Sequence, residues 1–260
     1  MKIAIIGGTG VYDPRILENT REDVVLTPYG MAAVKVGAYH GQEIAFMARH
    51  GVEHSVPPHL VNYRANIWAL RKLGVERIIA TAAVGSVNPQ MRAGDFVITD
   101  DFLDFTKTRV YTFFEGGDQG VVHTDFTQPY CPQVRSTLVQ AARELGIPAH
   151  DGGVYACMEG PRFETPAEIR MVAKLGGDLV GMTNVPEVVL AHELGLCYGL
   201  IAMVTNQAAG ISPTPLTHQE VLDIMAQNGE NLRRLAMRTI ELLPPARSCG
   251  CGSAGGPVSL

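Results

Sequence analysis

The sequence predicts an α/β fold in which a central β-sheet is covered by helices on both faces. Short, continuous apolar runs alternate with segments of helical spacing along most of the 260-residue chain, and this alternation is typical of sheets buried between helices. The polar side chains that could do chemistry collect where these strands end, which is where ligands bind in such sheets. The length allows one large domain or two small ones.

The composition disfavours several classes of protein. The chain is 46% hydrophobic and 18% charged, which suits a compact core, and its net charge of −5 implies no general affinity for nucleic acid or anionic membranes. The start lacks the apolar core of a signal peptide, and no apolar run approaches the roughly 18 residues of a membrane helix. The five cysteines are scattered and odd in number, which disfavours a disulfide-rich scaffold. We therefore expect a cytoplasmic protein.

The first strand leads into a glycine-rich turn. Residues 2–6 are a short apolar run that predicts a buried strand, and Gly-Gly-Thr-Gly follows at 7–10. Such a turn can direct backbone N–H groups and the Thr9 hydroxyl toward an anion. A glycine turn without a ligand stays open as the alternative. A nicotinamide-binding motif is disfavoured, because its third glycine would fall on Asp13 and Pro14 follows at once.

A β-hairpin is predicted at 34–39 and 43–48, and its second strand leads directly into Arg49 and His50. The arginine side chain is a planar fork of donors that suits phosphate, and a histidine can add another donor. A surface salt bridge is the alternative for Arg49. Three histidines lie close together between 50 and 59, but prolines separate them and no His-Glu-x-x-His pattern occurs. We therefore expect no metal site there.

The alternation of strands and helices continues along the chain. Helical spacing predicts helices at 62–73, 132–145, 166–175, 188–194 and 217–243. Apolar runs predict strands at 78–81, 95–99, 153–157, 179–182 and 197–204. Residues 100–120 lack regular signals, so we expect a long functional or interface loop.

Residues 244–260 are rich in Pro, Gly and Ser and predict a flexible tail. Cys249 and Cys251 flank a single glycine in this tail. A redox pair, half of a metal site and an inert segment all stay open as interpretations of these two cysteines.

The segment 158–165 (Met-Glu-Gly-Pro-Arg-Phe-Glu-Thr) joins a predicted strand to a predicted helix. Its Gly-Pro pair forces a turn, so Phe163 and Glu164 lie at the end of a strand. Phe163 could cover the face of a flat ring, and Glu164 could accept hydrogen bonds from ring N–H groups. A surface turn with a solvated Glu164 is the alternative.

Several of these segments together resemble one family. In order and spacing they are similar to the trimeric purine nucleoside phosphorylase and methylthioadenosine phosphorylase family, over residues 1–243. The segments are Gly-Gly-Thr-Gly (7–10), Ala-Arg-His-Gly (48–51), Val-Asn-Tyr-Arg-Ala-Asn (61–66), Ala-Ala-Val-Gly-Ser (82–86), Glu-Gly-Pro-Arg-Phe-Glu-Thr (159–165), Met-Thr-Asn-Val-Pro-Glu (182–187) and Thr-Asn (205–206).

The resemblance implies a single domain at 1–243, with a central twisted mixed β-sheet flanked by helices, followed by the tail. It also implies reversible phosphorolysis, in which a purine nucleoside and phosphate give a free base and a pentose 1-phosphate. Phosphate is then a co-substrate, and no metal or organic cofactor is needed. A homotrimer, or a hexamer of two trimers, is implied, with no nucleic acid or membrane as partner.

The resemblance further assigns roles to single residues. Asn206 and His50 are the catalytic residues, Phe163 stacks on the base, and His123 reaches into the site of a neighbouring subunit. The phosphate site consists of Thr9, Arg49, His50, Ala82, Ala83 and Thr183. The substrate site consists of Phe163, Glu164, Asn206, Gln207, Ala208, His218 and His123, with Met182 beneath the ribose.

The pair of Glu164 and Asn206 predicts a 6-oxopurine base. Adenosine-specific relatives place Asp at the position of Asn206 and a small hydroxyl residue at that of Glu164. Hypoxanthine and guanine offer an N1–H donor to Glu164 and an O6 acceptor to the Asn206 amide. Adenine would present a lone pair to Glu164, and an unpaired buried polar group costs about 1–3 kcal/mol. We therefore expect inosine and guanosine as substrates.

The 5′ end of the nucleoside leaves more than one interpretation. Residues 217–221 (Thr-His-Gln-Glu-Val) resemble the Asn-His-Glu-Glu-Val segment of inosine and guanosine phosphorylases, so His218 would bind the 5′-hydroxyl. A surface histidine is the alternative. Pro215 and Leu216 are apolar, which keeps a methylthioinosine or methylthioadenosine phosphorylase open. A nucleoside- or anion-binding module, a nicotinamide-dependent oxidoreductase and a hydrolase are the remaining alternatives.

Overall fold

A computed structural model describes residues 2–7, 17–51, 55–212 and 217–256 of the chain. Within these residues, eleven strands form one sheet. The strands are β1 (Ile3–Gly7), β2 (Glu18–Thr27), β3 (Gly30–Tyr39), β4 (Gln42–Ala48), β5 (Arg77–Ser86), β6 (Phe96–Ile98), β7 (Asp101–Phe105), β8 (Ala149–Asp151), β9 (Val154–Met158), β10 (Leu179–Gly181) and β11 (Cys197–Gln207). The helices are α1 (Tyr63–Lys72), α2 (Pro132–Leu145), α3 (Pro166–Lys174), α4 (Asn184–Glu193), α5 (His218–Leu242) and α6 (Cys251–Ala254).

The sheet forks at strand β5. On one side, β5 pairs in parallel with β1, and β4, β3 and β2 follow. On the other side, β5 pairs in parallel with β11, beyond which lie β6 and β8. The end of β5 also pairs antiparallel with β10, which continues to β9 and β7. The sheet is thus mixed, as expected, and the carboxyl ends of β1, β5 and β11 meet at one edge.

Helices cover both faces of this sheet, which confirms the α/β prediction. Helices α1 and α4 lie over one core, which contains Ile67 and Leu190, and α2 and α5 lie over the other, which contains Leu138 and Leu235. Strand β11 contributes side chains to both cores, because successive side chains of a strand point to opposite faces. In the described part of the chain, no helix is both long and apolar enough to cross a membrane.

Local signals set most of the boundaries of these elements. The Asn62 side chain caps α1, and Pro132 opens α2, which ends at Gly146 with a φ of 64°. The predicted hairpin is confirmed, since Tyr39 of β3 pairs with Gln42 of β4. The two residues between them have φ values of 46° and 77°, which a two-residue hairpin turn of type I′ requires.

The structure adds strands that the sequence does not predict, namely β2, β7 and β8. Strand β2 lies at the edge of the sheet, and most of its residues are exposed. Its mostly polar composition contains no long apolar run, so the sequence pattern does not predict this strand. Strand β7 lies inside the segment predicted as a long loop, and its residues are also only partly buried. The rest of that segment contains no further strand within the described residues.

Residues 244–256 of the tail contact the body in the structure, whereas the composition of residues 244–260 predicts a flexible segment. Arg77, which is buried in the body, donates through Nη2 to the carbonyl of Pro244 at 3.0 Å, and Arg247 donates to the carbonyl of Gly195 at 2.9 Å. Cys251 is only 9% exposed. These long-range arginine bonds are the physical reason for the difference, since a Gly- and Pro-rich composition does not reveal them. The domain boundary at residue 243 stays a prediction.

Candidate active site

A cleft of about 180 Å³ opens where β5 and β11 end. The turn after β9, the end of β10, the start of α4 and the first turns of α5 complete its wall. The residues predicted for the site that line this cleft are Arg49, His50, Ala82, Ala83, Phe163, Glu164, Met182, Thr183, Asn206 and Ala208. Segments that are more than 150 residues apart in sequence therefore meet at one edge of the sheet, as the position of the strand ends predicts.

Arg49 is held in the cleft by a buried carboxylate. Its Nε donates to Glu187 Oε1 at 2.5 Å and its Nη2 to Oε2 at 2.9 Å, while Nη1 donates to the carbonyl of Thr81 at 2.9 Å. The Tyr198 hydroxyl donates to the same carboxylate at 2.8 Å. Burial alone lowers the pKa of Arg49, but the charge and hydrogen bonds of Glu187, together with the nearby Tyr198 and Tyr63, outweigh burial and keep that pKa above its usual value. A surface salt bridge is thus excluded, because the two side chains are 2% and 1% exposed.

His50 and Thr183 line the cleft together with Arg49. Nδ1 of His50 bonds the carbonyl of Val56 at 2.9 Å. Because a carbonyl can only accept, this bond places the proton on Nδ1 and fixes the plane of the ring. Thr183 is the N-cap residue of α4, and its side chain makes no capping bond. The amino end of a ten-residue helix therefore faces the cleft next to a cation, an arrangement that favours anions.

Asn206 owes its position to a β-bulge in β11. The pairing of β11 with β5 shifts between Val204 and Asn206, so Thr205 and Asn206 both line the cleft. The Thr205 hydroxyl donates to Asn206 Oδ1 at 2.9 Å, and Asn206 Nδ2 donates to the carbonyl of Gln207 at 2.9 Å. A Cβ atom at Gly85 would lie 3.2 Å from Nδ2, so a glycine lets the amide pack there. The amide therefore has a fixed orientation, with its oxygen occupied and its nitrogen available as a donor.

Glu164 and Phe163 form the outer wall of the cleft. Glu164 is 9% exposed and Phe163 is 41% exposed. Burial raises the pKa of Glu164. A solvated surface glutamate does not fit this burial. Thr165 caps α3 directly behind Glu164 and forms a capping box with Glu168, which fixes the backbone of this turn.

Arg109 supports the inner side of the same turn. It lies in the segment predicted as a functional loop, is 8% exposed, and donates to the carbonyl of Glu159 at 2.6 Å and to that of Met182. A Cβ atom at Gly160 would lie 2.6 Å from Met182 Sδ, so the turn and Met182 are in close contact. Arg109 thus ties the end of β9 to the end of β10 beneath the cleft.

Four predicted site residues are not part of this cleft as the structure describes it. Gln207 is half-buried and donates from Nε2 to the carbonyl of Met91 at 3.1 Å, because it points away from Asn206 along the strand. His123 is exposed and outside the cleft of its own chain, so its role toward a neighbouring subunit stays a prediction. Thr9 lies outside the described residues, as does the side chain of His218, although His218 begins α5.

The sequence analysis missed three residues that hold others in place, namely Glu187, Thr205 and Arg109. Glu187 had a signal that could have revealed it. It lies near the start of α4, where every residue from Asn184 to Val188 is buried, and a carboxylate among apolar neighbours requires a partner. Thr205 and Arg109 carry no comparable signal, since the bulge and the loop path decide what they contact.

The fold is α/β, and the cleft brings a buried arginine, the amino end of α4, a buried carboxyl and an oriented amide to one edge of the sheet. Residues 2–241 match the sequence profile of the phosphorylase superfamily. The chain is 71% identical over 260 residues, the whole of both chains, to a probable 6-oxopurine nucleoside phosphorylase of Moorella thermoacetica. It is 55% identical over 258 residues, 97% of both chains, to the 6-oxopurine nucleoside phosphorylase of Pyrococcus furiosus.

A solved structure is similar in the same way. A methylthioadenosine phosphorylase from an antarctic soil metagenomic library superposes with a TM-score of 0.91 and 35% identity, covering 97% of this chain and 90% of the other. The chain belongs to the phosphorylase superfamily.

Proposed function

We propose that the protein is a 6-oxopurine nucleoside phosphorylase, which converts inosine or guanosine and phosphate into a free base and a pentose 1-phosphate. The observation that carries this proposal is the pair of Glu164, buried at the cleft wall, and Asn206, whose amide is oriented by two hydrogen bonds. Relatives at 71% and 55% identity that bear this activity in their names support it.

The phosphate would bind at the inner end of the cleft. Arg49 supplies a cation whose donors are pre-oriented by Glu187, and the amino end of α4 at Thr183 adds a favourable dipole. The bonds within the described residues use three of the five N–H donors of Arg49. The other two would remain for a phosphate oxygen, and the fixed position of the guanidinium would lower the cost of binding.

The reaction then needs positioning and charge stabilisation and no covalent enzyme intermediate. As the glycosidic bond lengthens, the ribosyl ring becomes positive and phosphate attacks C1′ from the face opposite the base. The leaving purine gains negative charge, and Asn206 Nδ2 donates to N7 or O6 where that charge develops. Neither an organic cofactor nor a metal enters these steps.

The base is read by complementary donors and acceptors. The Glu164 carboxylate accepts from N1–H of a 6-oxopurine, and from the 2-amino group when the base is guanine. Because Glu164 is buried, a base without an N1–H would leave it unpaired, at a cost of about 1–3 kcal/mol. This cost separates 6-oxopurines from adenine by roughly 10- to 100-fold.

A methylthio nucleoside is the second candidate substrate. Val221 and Leu222 of α5 line the cleft and are apolar, which would suit a 5′-methylthio group as well as the ribose edge. His218, one turn earlier on the same helix, is the proposed partner of a 5′-hydroxyl. These two features favour different groups at the 5′ end, so a substrate comparison has to decide between them.

The test is base release from inosine, guanosine, adenosine, methylthioinosine and methylthioadenosine, measured side by side with and without phosphate. We expect fast release from inosine and guanosine, dependent on phosphate, and little from either adenine nucleoside. Release without phosphate would indicate a hydrolase, and no release would indicate a binding module. If methylthioinosine were the best substrate, the role of His218 would be wrong while Glu164 and Asn206 kept theirs.

A double variant tests whether Glu164 and Asn206 determine the specificity for the base. Replacing Glu164→Ser together with Asn206→Asp introduces the pair expected in adenosine-type relatives. The preference should then move toward adenosine by at least about tenfold, while the KM for phosphate changes little. An unchanged preference would refute the proposed reading of the base.

We also propose a homotrimer, or a hexamer of two trimers, in the cytoplasm, with phosphate as co-substrate. Light scattering on the purified chain tests the assembly. In a trimer, a His123→Ala change should raise the KM for the nucleoside although His123 lies outside the cleft of its own chain.

A further inference from the structure

Four cysteines from distant parts of the chain meet in one cluster. Their Sγ atoms all lie within 4.8 Å of one another, and those of Cys197 and Cys249 are 3.3 Å apart. Cys131 precedes α2, Cys197 is the first residue of β11, and Cys249 and Cys251 belong to the tail. Among the residues that the structure describes, these four cysteines are the group whose ligand atoms lie close enough together to hold one metal ion.

We propose that these four thiols bind one zinc ion as a structural site. Four sulfur ligands at about 2.3 Å from a tetrahedral zinc lie about 3.8 Å from one another. This spacing is longer than the 3.3 Å between Cys197 and Cys249 and shorter than the 4.8 Å within which all four sulfurs lie. All five cysteines of the chain are free thiols in the structure. Binding converts four thiols into thiolates and releases four protons, with no change of oxidation state.

The surroundings of the cluster suit a closed, structural site. Cys131, Cys197 and Cys251 are buried within the apolar core beneath α2 and α5, and Cys249 is half-buried at its edge. Four protein ligands leave no open position for a substrate or water. Soft thiolates also select zinc over the hard cations magnesium and calcium.

The backbone of the tail places the sulfur atoms of Cys249 and Cys251 at the cluster. Gly250, between Cys249 and Cys251, has helical angles (φ −78°, ψ −3°) and turns the chain so that both sulfurs reach the cluster. Arg247 lies close to this segment, as a Cβ atom at Gly252 would be 2.9 Å from the Nη2 of Arg247.

The zinc ion would fasten the end of the chain to the body. It would join the start of β11, the start of α2 and the tail, in addition to hydrogen bonds such as those from Gln133 Nε2 to the Ala246 carbonyl at 3.4 Å and to Ser248 Oγ at 2.9 Å. The site is remote from the reaction, since Cys197 and Asn206 lie at opposite ends of β11. A zinc ion here departs from the expectation that the protein holds no metal, but it leaves the chemistry at the cleft metal-free.

The experiment uses the full chain without a histidine tag, purified under reducing conditions without chelator. Mass spectrometry of the metals should find about one zinc per chain. The double variant Cys249→Ser/Cys251→Ser should lose it, and Cys157→Ala, which changes the buried cysteine of β9 outside the cluster, should keep it. Cobalt should replace zinc and show the absorption bands of tetrahedral thiolate-bound Co²⁺.

Two further measurements keep the outcome clear. A strong chelator should lower the Tm of the wild-type protein by about 5 °C or more and leave that of the double variant unchanged. The single variant Cys249→Ser, which changes the half-buried ligand, serves if the double variant does not fold. Turnover of inosine by either variant should stay within about twofold of wild type at 25 °C, since neither touches the cleft.

Three results would overturn the zinc site. The first measurement counts the free thiols of the protein after unfolding in denaturant with chelator and without reductant. If the cysteines bind zinc, all five should be titratable, whereas a count of three or one would indicate disulfide bonds instead. Five thiols without zinc and without a cobalt spectrum would indicate unligated cysteines. Zinc retained by the double variant would place the metal elsewhere.

Discussion

The two ends of strand β11 carry sites of opposite character. At its carboxyl end, Thr205 and Asn206 face a polar cleft in which each group orients its neighbour. At its amino end, Cys197 lies in an apolar core among thiols from the tail and from the start of α2. Cys197 and Asn206 are separated by about 30 Å of extended chain.

This difference shows how one strand can serve stability and chemistry separately. At the cleft end, a buried carboxyl and a buried ion pair lower the free energy of unfolding, because removing polar groups from water costs free energy. The thiol end buries apolar surface and draws the chain terminus onto the body. Substitutions at the two ends should therefore separate the effects on turnover from the effects on unfolding.

The largest effect is expected where the cleft depends on a buried charge pair. Glu187→Ala leaves the Arg49 guanidinium buried without its partner, so the free energy of unfolding should fall by about 3–5 kcal/mol. Urea denaturation measures this loss. A loss below about 1 kcal/mol would contradict the assignment of Glu187 as the group that holds Arg49.

Glu187→Gln is the matched control, because it keeps the shape and removes the charge. It should destabilise less than Glu187→Ala and raise the KM for phosphate more than the KM for inosine, since only the position of Arg49 is disturbed. Equal changes in both KM values would mean that Glu187 acts on the whole fold and not through Arg49.

Asn206→Ala comes next and should affect turnover alone. Removing a donor to the developing negative charge should lower kcat by about 10²–10³-fold, with little change in the KM for phosphate. Thr205→Val removes only the hydroxyl that orients the amide, so a loss of about tenfold is expected. Steady-state kinetics with inosine checks both, and a kcat for Asn206→Ala equal to that of wild type would refute its role.

Glu164 should make turnover at the cleft depend on pH. Burial raises the pKa of this carboxyl, and the ionised form that accepts from N1–H exists only above that pKa. The kcat/KM for inosine should therefore be full above the raised pKa and fall as the pH drops through it. Glu164→Gln should lower kcat/KM by roughly 10- to 100-fold and remove this acid limb. An unchanged pH profile in the variant would assign the limb to another group.

The smallest effect is expected just outside the cleft, at the cap of α3. Thr165→Ala removes the hydroxyl that accepts from the backbone of Glu168, which should cost about 1 kcal/mol of unfolding free energy. Thr165→Ser keeps the hydroxyl and should cost little. Thermal unfolding compares the two, and equal Tm values would show that the capping box contributes nothing measurable.

The fold could be predicted from the sequence to a large extent, because buried strands and amphipathic helices have strong patterns. Helix α2 matches its predicted range of 132–145, and Asn62 acts at the start of the predicted first helix. Strand β2 could not be found, since an exposed edge strand has no apolar run. Strands β5 and β11 extend past their predicted ends, because glycine and polar residues continue the pairing beyond the apolar runs, as Asn206 with Gly85 and Gln207 with Ser86.

The site was predictable in its residue types and less so in its supporting contacts. Arg49, Glu164 and Asn206 stand in short motifs with a chemical rationale, and the structure brings them to one cleft. The contact between Glu187 and Arg49 spans 138 positions in the sequence, and no local pattern encodes it. The packing of the tail was missed for the same reason, because its partners, such as Arg77, lie far away in the chain.

The bulge in β11 makes the length of that strand part of the site. The extra residue between Val204 and Asn206 changes which face the following side chains occupy. Asn206 pairs with Gly85 across the bulge, so deleting Thr205 would keep that pairing, but it would remove the local twist of the bulge together with the hydroxyl that orients the Asn206 amide. The deletion should therefore disturb the Asn206 amide more than Thr205→Val does, because it removes the bulge as well as the hydroxyl.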